Sequence, residues 1–238
     1  MCTVTYLPLG KGGFVLTSNR DESIARPSSL PPAVYSVHQE EVVFPKDPRS
    51  GGTWIASSGH FTLCLLNGAF LKHIPKPAYR KSRGLVLLDF FLYQDVRQYV
   101  EKYDFSDIEP FTLVVVKSGT ETALTELRWD GNGVHLKEMN AAFPHIWSSV
   151  TLYTKEMILQ RENWFKEWLR KTTDLTQEKV LLFHHFGGAG DPVQSVVMQR
   201  ENERKRTVSI TSVRKNAEGT LLFYEDLLSQ EHRRYTLA

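Results

Sequence analysis

The rhythm of its turns is what most limits how this 238-residue chain can fold. β-rich runs arrive in groups joined by tight turns, and helical periodicity is confined to two blocks. "CTVTYLP" and "GFVLTSNR" flank "LGKGG", whose glycines permit the positive φ of a hairpin turn. "EVVFPKDPRSGGTWIASS" and "HFTLCLLNG" continue the strand pattern, with turn chemistry at Asp47-Pro48 and Ser58-Gly59. "PFTLVVVK", "TALTELRWD" and "GVHLKEM" read as three further strands, and "HIWSSV" as another. "VQSVVMQ", "RTVSITSV" and "TLLFYED" read as the three strands that finish the chain. "ESIARPSSLPPA" carries Pro27, Pro31 and Pro32 and reads as an irregular exposed loop.

In the first helical block Leu85, Leu88, Leu92, Val96 and Tyr99 recur at spacings of three and four, which predicts one helix with one apolar stripe. In the second, Thr154 is placed as an N-cap. Ile158, Phe165 and Leu169 line one face, with Met157, Trp164 and Trp168 beside them. That spacing favours core packing over an apolar ligand cavity. "TQEKVLLFHHF" predicts a shorter helix from near Thr176 to the Gly187-Gly188 pair. A regular βαβ alternation is missing, so the expected class is α+β: antiparallel sheets in a sandwich, with helices packed outside. The length suits one substantial core, and a single domain over residues 1–238 is expected.

The formal charge of +2 gives no reason to expect a nucleic-acid partner. The basic run "RENERKR" is broken by Glu201 and Glu203 and reads as a solvated hairpin tip. No apolar run approaches the ~18 residues of a membrane span, and no secretory signal pattern opens the chain. A cytoplasmic protein with free thiols is expected. His184 and His185 diverge by about 100° on a helix and have no third ligand at metal spacing, so neither a metal nor another cofactor is expected. "GGAGD" lacks the lysine of a phosphate loop and follows a helix, so it reads as helix termination.

Cys2 stands directly behind the initiator methionine. Removal of Met1 would give it a free α-amine, titrating near ~7.7–8.0, beside a thiol titrating near ~8.5. Such an amine can serve as general base for its own side chain. Arg20 and Asp21 end the second strand of the opening hairpin and are expected beside Cys2, to orient the amine and favour the thiolate. Cys64, inside an apolar run, is expected to be buried and inert. Paired glycines, Gly51 and Gly52, permit close backbone approach, either to a ligand or in a strained turn.

"MC" at the start, "NRDE" (Asn19–Glu22), "RP" (Arg26-Pro27), "GGTW" (Gly51–Trp54) and "SRG" (Ser82–Gly84) follow one another in an order that resembles the NRDE family, whose eukaryotic members are named for transport and Golgi organisation. "FTLVVV", "WSS" and "RTVS" extend the resemblance along nearly the whole chain. The family is similar to N-terminal-nucleophile (Ntn) hydrolases, which implies a four-layer αββα sandwich of two antiparallel sheets between helical layers. The cysteine branch that cleaves bile-salt conjugates and penicillin V implies Cys2 as nucleophile and Asp21 beside its amine. It also implies Asn67 as an oxyanion donor and Arg206 as a late arginine. That branch's other arginine falls where this chain has Ser18, and Arg20 could substitute from the same strand face. An asparagine of the relatives is replaced in "WSSV" by Ser148 and Ser149.

These resemblances imply an amidohydrolase acting on a small non-peptide amide. Cys2, Arg20, Asp21, Asn67 and Arg206 would be catalytic, and Asn19, Gly51, Gly52 and Ser149 would bind substrate. The alternative reading is a non-catalytic carrier on the same fold, handling a lipid-like ligand or haem. The sequence gives no oligomeric state.

Overall fold

The computed structural model describes residues 3–237. The expected opening hairpin forms from β1 (Thr3–Gly10) and β2 (Gly13–Ser23), and Thr3, the first described residue, pairs with Asn19. β3 (Leu30–Val37), β4 (Glu40–Lys46), β5 (Ile55–Ser57) and β6 (Phe61–Asn67) follow, then α1 (Arg83–Asp89) and α2 (Val96–Lys102). Next come β7 (Phe111–Lys117), β8 (Ala123–Trp129), β9 (Val134–Met139) and β10 (His145–Ser148). Helices α3 (Lys155–Lys171) and α4 (Gln177–Phe186) precede β11 (Gln199–Arg200), β12 (Lys205–Asn216), β13 (Gly219–Asp226) and β14 (Glu231–Leu237).

Two antiparallel sheets result. One has the order β10-β1-β2-β12-β13-β14 with β11 on β12, and the other is a meander running from β3 to β9. Strand alternation sorts their side chains into three apolar layers. Val4, Tyr6, Phe14, Leu16 and Val213 meet Val43, Ile55, Cys64 and Val114 between the sheets. Leu7 and Val15 point the other way, onto Phe165, Val180 and Phe183 of α3 and α4. The outer face of the meander carries Leu63, Leu65 and Leu113 against Val86, Phe90 and Tyr99. The architecture is therefore the αββα sandwich. Among the described residues, no helix is long and apolar enough to cross a membrane.

Four local expectations are corrected. The stripe from Leu85 to Tyr99 is not one helix: a 3-10 turn at Phe90–Leu92 intervenes, and Gln94 takes a left-handed φ of 50°. Asp95 then caps α2 by accepting from the Gln98 backbone N–H at 2.9 Å, a local bond that apolar spacing does not register. Leu92 is exposed as a result. The proline-rich loop ends earlier than expected, because β3 already begins at Leu30. Pro31 and Pro32 sit on an edge strand at a register shift between Leu30 and Ala33, where no ladder donor is required.

"VQSVVMQ" is not a strand beyond Gln199. Side chains take its backbone groups: Arg161 donates to the Gln194 and Ser195 carbonyls, Asn19 donates to that of Val196, and Asp191 accepts from the Val193 N–H. Finally, β14 was not expected; its exposed, charge-rich residues pair with β13 as an edge strand.

Candidate functional site

The NRDE, RP, GGTW and SRG stretches, far apart in sequence, meet around one cleft of about 370 Å³. β2 contributes Arg20 and Glu22, the loop after it Arg26, and the segment between β4 and β5 Asp47, Thr53 and Trp54. Leu65 and Asn67 come from β6, and Lys81, Ser82, Arg83 and Glu109 complete the lining.

Asp47 organises the charged side of this cleft. Its Oδ2 accepts from Arg20 Nη2 at 2.7 Å and from Arg26 Nε at 2.8 Å. Its Oδ1 accepts from Arg26 Nη2 and from the backbone N–H groups of Arg49 and Ser50. Burial alone would raise the carboxyl pKa; the bonds from Arg26 and Ser50, with the charges of Arg26 and Arg20, outweigh it and hold the group at about 2. The hydrogen bond to Asp47 in turn raises Arg26 above the usual guanidinium value. Arg83 pairs with Glu109 at 2.9 Å, yet burial pulls its pKa below the ordinary value. The Arg20 guanidinium also lies 4.7 Å from the centroid of the Trp54 ring.

Arg20 and Asp21 share the end of β2 but face different layers. Neighbouring strand residues face opposite ways, so Arg20 enters the cleft while Asp21 turns towards the α3–α4 layer. There Asp21 is buried, and Thr207 Oγ1 donates to its Oδ1 at 2.6 Å. The Tyr153 hydroxyl donates to its Oδ2. The Arg161 guanidinium, itself fully buried, stacks 3.7 Å from the Tyr153 ring centroid and donates to Thr3 Oγ1. Asp21, Tyr153, Arg161 and Thr3 thus form a connected polar cluster at the end of the opening hairpin. Cys2 itself lies outside the described residues.

Asn19, expected to bind substrate, shares the face of Asp21 and is fully buried. Its amide donates to the carbonyls of His184 and Val196 at 3.1 and 3.0 Å and accepts from His184 Nδ1. The donors and acceptors of this side chain are spent on the protein. With Nδ1 donating, His184 Nε2 is left to accept from Thr5 Oγ1 at 2.7 Å. Burial, with the nearby charges of His185 and Arg161, pulls His184 down to about 3 and keeps it neutral.

Asn67 does line the cleft, at the end of β6. Ser149 does not. Its hydroxyl donates to the Asn67 carbonyl at 2.8 Å, so its one proton fastens β10's end to β6 instead of facing a ligand.

Gly51 and Gly52 lie behind the cleft wall rather than in it. Gly51 holds a φ of +72° in the turn closed by Asp47. A Cβ on Gly52 would meet the Gly84 carbonyl carbon at 2.4 Å, so the close backbone approach is to the start of α1 and not to a ligand. Arg206 falls outside the main cleft. It lines another, smaller one of about 280 Å³ with Ile24, Arg200 and Arg204, and its buried Nε has no hydrogen-bond partner among the described residues. Cys64 is buried between the sheets, and burial pushes its thiol up to about 12. Among the described residues, no group of three or more His, Cys, Asp or Glu side chains could hold a metal ion.

Residues that sequence reasoning gave no role complete both clusters. Asp47 registered only as part of an Asp-Pro turn. Tyr153 and Arg161 carried no signal, because their partners lie more than a hundred positions away.

The sequence profile of the Transport and Golgi organisation 2 family matches residues 1–223. The chain belongs to this family. No curated protein sequence matches it significantly. Among solved structures, a variant of conjugated bile acid hydrolase from Clostridium perfringens superposes with a TM-score of 0.60 at 10% identity, covering 99% of this chain and 92% of that one. Penicillin V acylase from Agrobacterium tumefaciens gives 0.58 at 12% identity, covering 99% and 86%. A second variant of the bile acid hydrolase gives 0.58 at 11%, covering 100% and 92%. These neighbours are Ntn-hydrolases, and at such identities the likeness is one of fold. This member of the Transport and Golgi organisation 2 family thus has the Ntn-hydrolase architecture, and its family motifs converge on the Asp47 cleft.

Proposed function

We propose that the chain is an Ntn-type amidohydrolase that cleaves the C–N bond of a small non-peptide amide, with Cys2 as nucleophile after loss of Met1. The Cys2 sulfur attacks the carbonyl carbon while its proton passes to the α-amine. Collapse of the tetrahedral species breaks the C–N bond, and the amine proton leaves with the departing nitrogen. Water then hydrolyses the resulting thioester and restores the thiol. Asp21, fixed by Tyr153 and Thr207, would orient the α-ammonium. Asn67 would face the developing oxyanion from the cleft wall.

One observation carries this reading: the hairpin that begins at Thr3 ends, on its second strand, in a buried carboxylate on one face and a charged cleft on the other. The likeness in fold to bile acid hydrolase and penicillin V acylase supports the same chemistry. A carrier of lipid or haem would be served by apolar walls, whereas Arg20, Glu22, Arg26, Asp47, Arg83 and Glu109 line this cleft. A polar amide suits it better than a lipid.

Treatment with an activated acyl ester, followed by peptide mass spectrometry, tests the proposal. An acyl group on Cys2 that turns over with time is expected. Cys64 serves as an internal control, since its buried thiol is held far from the thiolate. Labelling confined to Cys64, or none at all, would overturn the reading.

A further inference from the structure

The wall of the cleft holds a donor that the protein itself does not use. Trp54 is only 2% exposed and lines the cleft, and its buried Nε1 has no hydrogen-bond partner among the described residues. Ser82 Oγ, which also lines the cleft, is likewise buried and without a hydrogen-bond partner among the described residues. Buried polar groups in folded proteins are nearly always paired, so an orphan inside a ligand cleft points to an acceptor that arrives with the ligand. The Trp54 carbonyl accepts from the Leu65 N–H at 2.8 Å, and this bond fixes it beside the strand that ends in Asn67. Arg20 above the ring face draws electron density from the indole and makes its N–H a stronger donor.

The position of Ser149 leaves room for such a group. Its hydroxyl is committed to the Asn67 carbonyl, so Ser149 donates nothing to the cleft. We propose that Trp54 Nε1 donates a hydrogen bond to the carbonyl oxygen of the bound acyl compound, and that this bond strengthens as the oxygen takes up negative charge during attack by Cys2. The ligand class is one whose reacting carbonyl reaches the GGTW wall of the cleft. The assignment rests on the Cys2 hydrolase reading.

Trp54→Phe keeps an aromatic ring and removes the N–H. Two reactions of Cys2 separate the role of this donor from mere packing. Acylation by an activated ester passes through a tetrahedral oxyanion, whereas alkylation by iodoacetamide displaces iodide and forms none. The variant is expected to lose ~10²-fold or more in acylation rate, the effect of removing one oxyanion donor, and to keep the wild-type alkylation rate. The smaller ring leaves a cavity at a site only 2% exposed, so some loss of stability is expected, and the alkylation rate separates that packing loss from the lost donor. An unchanged acylation rate, or equal slowing of both reactions, would overturn the assignment. Failure of the wild-type chain to acylate at Cys2 would instead sink the hydrolase reading, and the oxyanion role with it.

Discussion

Substituting Asn for Asp47 preserves the side chain's outline and removes the charge that Arg20 and Arg26 share. Both guanidiniums would remain in place, one of them almost completely buried, without their carboxylate. Removing one partner of a buried pair typically costs about 3–5 kcal/mol, and that is the expected loss at neutral pH. The pH dependence gives a sharper test. In the folded chain the carboxyl sits at about 2, against an ordinary value of 3.8. At about 1.4 kcal/mol per tenfold, the difference is worth roughly 2 kcal/mol. Between those two pH values the unfolded chain holds the extra proton, so acid favours unfolding. The contribution is therefore complete above pH ~4 and disappears as pH falls towards ~2.

Urea denaturation of wild type and Asp47→Asn in parallel, from pH 7 down to 2, measures this directly. The stability gap between the two proteins should stay flat to about pH 5, then close by roughly 2 kcal/mol. Groups common to both proteins, including His184 and the similarly lowered Asp130, cancel in the difference. A gap that stays constant from pH 5 to pH 2 would refute the shared-carboxylate account of the cleft.

Gly52→Ala drives a Cβ into the Gly84 backbone at 2.4 Å, where no flexible side chain can yield. A loss of about 1–3 kcal/mol or more in denaturant is expected, and a variant as stable as wild type would contradict the packing described. Tyr153→Phe removes a donor to a buried carboxylate, so stability should fall by roughly 1.5–3 kcal/mol; an unchanged denaturation midpoint would show that Asp21 does not depend on that bond. His184, neutral when folded with a pKa of about 3, takes a proton near 6.5 once unfolded. Stability should therefore decline as pH drops below about 6.5, and NMR titration should find the folded ring uncharged at pH 5; a charged ring there would contradict the tautomer assigned.

The layers of the fold were legible because their signals are local. Hairpin turns, strand alternation, the Thr154 cap and the helix start near Thr176 each depend on residues within a few positions, and both helices begin there. The break at Asp95 was also local, in a backbone cap, but apolar periodicity ran straight over it. The site was only half legible. Motif order brought out Arg20, Arg26, Trp54 and Arg83, which meet in the cleft. Side-chain direction was less accessible. Asn19 and Arg20 are neighbours in the same motif, yet strand alternation sends one to α4 and the other into the cleft. Arg161, Tyr153 and His184 reach the hairpin only through the packing of α3 and α4 on the sheet, which no sequence spacing encodes.

The chemistry proposed here depends on a free amine at Cys2, and the intact mass of the mature protein reads that most directly. A mass lacking the initiator methionine, rising by one acyl group after treatment with an activated ester, is the result the account predicts. Retention of Met1 together with undiminished acylation of Cys2 would contradict it.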